Sequence, residues 1–307
     1  MDIIESSYPI IGAIESMQGG RAENQDFVGY ADTPHGFLVV LCDGMGGGPG
    51  GRTASTSTVK FIIESIKNAK TKVNRRKLVR ETIVAADQNI LRLTEENPQL
   101  RGMGTTAVVL LINRNNAILG HVGDSRCYQF RYGRKVYRTD DHSMVGEKVR
   151  HGILTEEQAR LSAESNIITR AVNGRNICQP DIVTLAYERG DRFMLCTDGI
   201  WGAMPEKELI KTVRETKDIN GAAVNLSLTV DAIGKRQGNH HDNLTLAYIE
   251  TKSDSKKKTT MNRKSRLLIL LLSFLLLVSV FFNIKSCVSS SDTPEQQPTQ
   301  PTPVKTK

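Results

Sequence analysis

The sequence predicts an α+β fold, and three features carry that prediction. Short runs of strand-forming residues follow one another with turn signals between them, as antiparallel strands do. Helical periodicities fall between groups of strands rather than after each one, which argues against a doubly wound parallel sheet. Residues 1–250 also show no internal repeat.

The elements follow in order. "IGAIES" and "FLVVLC" read as strands, rich in β-branched and aromatic residues. A helix is expected over "GGRTASTSTVKFIIESIKNA". A second follows near "RRKLVRETIVAADQNILRLTEEN", where Leu78, Ile83, Ala86, Ile90 and Leu93 mark one face. "TTAVVLLIN", "NAILGHVGD", "RCYQFRYG" and "KVYRT" are short strands in the spacing of an antiparallel meander. Two short helices fit "MVGEKVRHG" and "LTEEQARLSAES". "DIVTLAYERGDRFMLCTDG" reads as a hairpin turning at Arg189-Gly190-Asp191. Helical patterns return over 206–215 and 222–234, and "DNLTLAYIE" is a last strand.

Of 307 residues, 39% are hydrophobic, enough for a sizeable core. The net charge of +8 belongs to one end. Ten Lys/Arg against three Asp/Glu between Lys252 and Lys307 account for +7, leaving +1 for residues 1–251. A nucleic-acid-binding globular domain therefore has little support. Five single cysteines without a C-x-x-C pair argue against zinc ribbons and thioredoxin-type sites. Cys42 and Cys196 read as small core residues.

"MDIIESSYPI" has no basic or apolar leader region, so no secretory signal is expected. Residues 267–284, "LLILLLSFLLLVSVFFNI", are uncharged. As a helix they span roughly 27 Å, close to a bilayer's hydrocarbon thickness. Six basic residues precede them within 256–266 and only Lys285 follows closely. The expected organisation is a globular domain over 1–250 on the cytoplasmic side and a basic linker over 251–266 lying on anionic lipid. A single transmembrane helix over 267–284 and a disordered Pro/Thr/Gln-rich tail over 285–307 on the far side complete it.

Several aspartates stand at strand ends. Asp43 closes "FLVVLC" and opens onto "GMGGGPGG", where a hairpin would need a second strand. Asp198 ends "RFMLCT", Asp242 precedes "NLTLAYI", and Asp26 lies beside Arg21 in "RAENQDF". Each alone is a turn or cap signal. Gathered at one end of a sheet core they would repel one another unless a cation sat among them. All-oxygen ligands favour Mg²⁺ or Mn²⁺.

In sequence order "RAENQD", "VVLCDGMGG", "GMGTTAV", "HVGDSRCY", "DDHS", "IITRAV", "CTDGIWG" and "DNLTL" resemble the bacterial branch of the metal-dependent, type 2C serine/threonine protein phosphatases. The resemblance runs from about Ile11 to Ile249. It implies a β-sandwich of two antiparallel sheets flanked by helices, in four αββα layers. By resemblance Asp43 would bridge two metal ions, with the Gly44 carbonyl on one of them. Asp198 and Asp242 would complete the first ion's ligands, and Asp26 would reach the second directly or through water. Asp124 would help hold a weaker third ion, or serve only as a turn. Arg21 would bind the substrate phosphate with its planar fork.

Two ions about 3.5–4 Å apart can bridge a water and lower its pKa toward neutrality, giving a hydroxide for in-line attack on phosphorus. Some relatives carry a His two residues after the bridging Asp; here Met45 stands there, leaving the general acid open between water and another residue. His142 in "DDHS" reads as structural, and His240 and His241 are not expected to be ligands. Residues 143–165 correspond to the family's variable flap. The resemblance implies phosphoserine and phosphothreonine proteins as substrates, and the expected membrane anchor suggests a membrane serine/threonine kinase as the enzyme's opponent. Two competing classes are a catalytically dead sensing scaffold and a calcium-binding interaction module. The full aspartate set argues against the first, and the missing D-x-D-x-D-G loop against the second.

Overall fold

A computed structural model describes residues 1–46, 49–216 and 218–253. Most of the linker, the candidate spanning segment 267–284 and the tail lie outside the described residues. Among the described residues no helix is long and apolar enough to cross a membrane.

The chain opens with β1 (Asp2–Ile4), β2 (Ile10–Met17), β3 (Phe27–Thr33), β4 (Gly36–Cys42) and the short β5 (Gly44–Met45). Two helices follow, α1 (Pro49–Lys67) and α2 (Arg75–Glu96). Then come β6 (Gly104–Thr105), β7 (Ala107–Asn113), β8 (Asn116–Val122), β9 (Arg126–Arg131) and β10 (Arg134–Arg138). Short helices α3 (Met144–Arg150) and α4 (Glu156–Arg160) precede β11 (Asp181–Leu185) and β12 (Arg192–Cys196). The described fold closes with α5 (Asp198–Trp201), α6 (Glu206–Glu215), α7 (Ile219–Arg236) and β13 (Leu244–Thr251).

The strands form two large antiparallel sheets, ordered β1-β2-β13-β12-β9-β10 and β11-β8-β7-β4-β3. Strand alternation explains why they stack. In β4 and β7, Phe37, Val39, Leu41, Val108 and Leu110 face the other sheet, packing with Leu195, Ala247 and Ile249. Their alternates Leu38, Val40, Cys42, Val109 and Leu111 face α1 and α2, meeting Ile62, Ile66, Ile83 and Ile90. Both faces of these strands are covered, which is why they read as unbroken apolar runs. On the outer face of the six-stranded sheet, Met194, Leu246 and Tyr248 pack against Leu209, Val213, Leu226 and Val230 of α6 and α7. The result is the four-layer αββα sandwich that the resemblance implied.

Two sequence expectations need correction. The hairpin over 181–198 is absent, because β11 pairs with β8 in one sheet while β12 pairs with β9 and β13 in the other. The connecting residues cross between sheets instead. Tyr187 is buried there, its hydroxyl donating to the Asn113 carbonyl at 3.0 Å, and the Asp191 carboxylate accepts from Gln129 at 2.8 Å. Likewise the meander breaks between β8 and β9, which lie in different sheets; only β7–β8 and β9–β10 are hairpins. Sequence periodicity also overlooked β3, a partly buried edge strand interrupted by Gly29 and Asp32.

The antiparallel registers decide where the site lies. Cys42 stands opposite Phe27, and Ala107 opposite Val122. Cys196 is paired with both Leu246 and Arg126, and Met17 with Leu244. The ends of β2, β4, β8 and β12 and the starts of β3, β7, β9 and β13 therefore share one end of the sandwich. The residues just outside those ends include Arg21, Asp26, Asp43, Asp124, Asp198 and Asp242.

Candidate metal centre

That end of the sandwich is a cleft of about 490 Å³ lined by Arg21, Asp43, Gly44, Asp124, Asp198 and Asp242. Asp26 lies beneath it, only 1% exposed, and accepts a hydrogen bond from the Thr197 hydroxyl at 2.9 Å. All seven expected site residues are thus brought together.

Local structure fixes each of them. The Asp43 backbone is clamped on both sides: its N–H donates to the Thr106 hydroxyl at 2.9 Å, and its carbonyl accepts from the Thr106 N–H and the Thr105 hydroxyl. Gly44 is held between two chain segments. A Cβ there would stand 2.1 Å from the Gly51 carbonyl oxygen and 2.6 Å from that of Gln25. No side chain fits, so the backbone lies bare beside Asp43. The loop bearing Arg21 and Asp26 is tied down by Asn243, which no sequence signal marked as functional. Its amide donates to the carbonyls of Gln18 and Glu23 and accepts from the Gln25 N–H at 2.8 Å. Arg52 of α1 holds the same loop through the Asn24 and Asp26 carbonyls. Asp124 is placed by Trp201, whose indole N–H donates to its carbonyl at 3.0 Å.

The electrostatics demand positive charge. Burial first, then the repulsion of Asp198 and Asp242, lifts the Asp26 carboxyl to about 7 against hydrogen bonds from Thr245 and Thr197. Burial and then the charge of Asp242 lift Asp198 to about 6. Burial first, then neighbouring carboxylates, push Asp43 and Asp124 well above the carboxylate range. Asp198 Oδ1 is buried and has no hydrogen-bond partner. Among the described residues Arg21 is the one cation lining the cleft, and it lies 2.6 Å from Asp242. Crowded oxygen donors with an orphaned carboxylate oxygen fit hard divalent cations.

The remaining candidates separate from this centre. His142 is buried; its Nδ1 accepts from the Gly123 N–H at 3.2 Å, and its Nε2 lies 3.1 Å from Asp181. It stacks on His121 with ring centroids 4.6 Å apart. These two histidines and Asp181 come close enough to suggest a second ion site. The Gly123 bond argues otherwise: with Nδ1 accepting, the neutral ring keeps its proton on Nε2, and that nitrogen has no lone pair to offer. His241 bonds Asp231 of α7 at 3.0 Å. Burial raises the Cys42 and Cys196 thiols, so neither is a nucleophile.

Comparison with known proteins agrees with this geometry. The family model described as protein phosphatase 2C matches residues 16–226. Protein phosphatase PhpP of Streptococcus pneumoniae is 35% identical over 204 residues, covering 65% of this chain and 81% of that one. The serine/threonine phosphatase PstP/Ppp of Mycobacterium tuberculosis superposes with a TM-score of 0.69 at 28% identity, over 79% of this chain and 99% of that one. A PstP catalytic domain solved with two manganese ions gives a TM-score of 0.66 at 28% identity, over 78% and 97%. The chain therefore belongs to the protein phosphatase 2C family, and by class it is a metal-dependent protein-serine/threonine phosphatase.

Proposed function

We propose that this chain hydrolyses phosphoserine and phosphothreonine in proteins at the aspartate cleft, with two Mn²⁺ or Mg²⁺ ions and a weaker third. The observation that supports it most is the gathering of Asp26, Asp43, Asp124, Asp198 and Asp242 around a backbone left bare at Gly44. Asp43 would hold both tight ions, with the Gly44 carbonyl, Asp198 and Asp242 on one and Asp26 on the other. Bound there, the ions supply a hydroxide for in-line attack on phosphorus. Arg21 orients the phosphate; Thr105 and Thr106 keep Asp43 from turning away as charge builds. Met45 carries no proton, so the leaving oxygen takes one from water or from another residue.

The membrane arrangement belongs to the same proposal. Residues 267–284 would anchor the domain to the cytoplasmic face, where substrates or an opposing serine/threonine kinase reside. The test of function is manganese-dependent hydrolysis of p-nitrophenyl phosphate and of a phosphothreonine peptide. Asp43→Asn should lower kcat by orders of magnitude while the fold survives. Full activity in that variant would contradict the two-metal reading.

A further inference from the structure

A second cleft, of about 270 Å³, adjoins the metal cleft and shares Met45 and Ile168 with it. Among the described residues no carboxylate lines it. Its polar walls are Arg170, Asn173, Arg175, Asn176 and Gln179, and Ile177 stands 87% exposed at its rim. Arg170 already meets Asp181 at 3.2 Å. Arg175 forms no ion pair among the described residues; only its backbone N–H is engaged, by Asn173.

The loop that carries Arg175 is built, not loose. The buried Asp87 of α2 accepts the N–H groups of Asn173 and Gly174, each at 2.8 Å. Gly102 has φ +95, and its missing side chain makes room for the guanidinium: a Cβ there would stand 3.1 Å from Arg175 Nη2. The loop is also coupled to the metal ligands through backbone. Gly44 pairs with Thr105 and Met45 with Gly104, and Thr105 in turn bridges to Val172. At roughly 4.8 Å per strand spacing, Val172 lies about 10 Å from the Gly44 backbone. An extended peptide covers that distance in about three residues.

We propose that this cleft is a substrate subsite for a second anionic side chain, an acidic or phosphorylated residue about three positions from the phosphoresidue being hydrolysed, with Arg175 as its principal contact. This rests on the phosphatase reading above and narrows its substrate class. It also gives Arg175, an unpaired planar cation on a fixed loop, a partner it can bind with both arms.

The experiment compares kcat/KM of the full-length chain for phosphothreonine peptides that differ at one position, three residues to either side. That position carries alanine, glutamate or phosphoserine. The wild type should favour one acidic peptide over its alanine counterpart by about tenfold, the size of one charge-assisted contact. Arg175→Ala should bring the ratio to about one, and Arg175→Glu should invert it. Because the readout is a ratio within each variant, partial misfolding cancels. A larger gain for phosphoserine than for glutamate identifies multiply phosphorylated substrates; equal gains identify acidic sequences. No preference in the wild type, or a preference that survives both substitutions, overturns the proposal. Hydrolysis of p-nitrophenyl phosphate is read alongside: if that also fails with manganese, the phosphatase reading has failed, and not the subsite alone.

Discussion

Arg21 and Asp242 stand 2.6 Å apart, so the residue assigned to the phosphate rests on a residue assigned to a metal. A cation bound at Asp242 would take over its charge and free the guanidinium for substrate. Arg21→Ala should therefore raise KM and weaken inhibition by inorganic phosphate by about tenfold or more, with Lys restoring only part, having no planar fork. Unchanged KM and unchanged phosphate inhibition would remove Arg21 from the site. The carboxylates make a pH prediction. Asp26 near 7 and Asp198 near 6 lie above their unfolded values of about 4. Their protonation stabilises the metal-free fold fully below about pH 4, and this contribution is lost as pH rises through 7. His142, lowered to about 4 by burial and by His121, acts oppositely below about pH 6.5. The cleaner readout is thus the gain in Tm on adding manganese, which should be larger at pH 7.5 than at pH 5.5. Equal gains at saturating metal would contradict the repulsive cluster. Asp43, Asp124, Asp198 and Asp242 were legible in the sequence because each follows or precedes a recognisable strand, whereas Asp26, just before the overlooked β3, was legible only through its motif beside Arg21. Asn243 was not, because its role rests on contacts with Gln18, Glu23 and Gln25, more than 200 residues away.

Elements were legible where apolar residues repeat with a clear period, as in α2, or run unbroken between turn signals, as in β4. Their pairing was not. The residues over 181–198 have the local chemistry of a hairpin, yet β11 and β12 belong to different sheets because Tyr187 and Asp191 anchor the crossing. A second crossing, from β8 to β9, is held by Arg126. Its guanidinium makes a two-pronged contact with Asp141, at 2.9 and 2.7 Å, and lies 3.5 Å from the Trp201 ring centre. Both partners are nearly inaccessible, at 7% and 6%. Asp141→Asn would leave that buried guanidinium with only the half-exposed Glu156, 3.9 Å away, as a charge partner, a change expected to cost up to about 3–5 kcal/mol. Urea denaturation measures it, and a loss below about 1 kcal/mol would show the pair to be incidental to stability.

Across the whole molecule, charge divides sharply, with most of the net +8 beyond residue 251. If residues 267–284 span a bilayer, the basic residues before them place the phosphatase domain in the cytoplasm. Protease added to intact cells should remove an epitope placed after Lys307 and spare the domain; an epitope that survives until lysis would reverse the orientation. The sandwich itself brings five aspartates from five strand ends to one cleft, and the central claim is that Asp43 there is shared by two metal ions. Calorimetric titration of the metal-free chain with manganese tests this most directly. The wild type should show two tight sites, Asp198→Asn should weaken one of them, and Asp43→Asn should lose both. Two tight sites retained in Asp43→Asn would contradict the account.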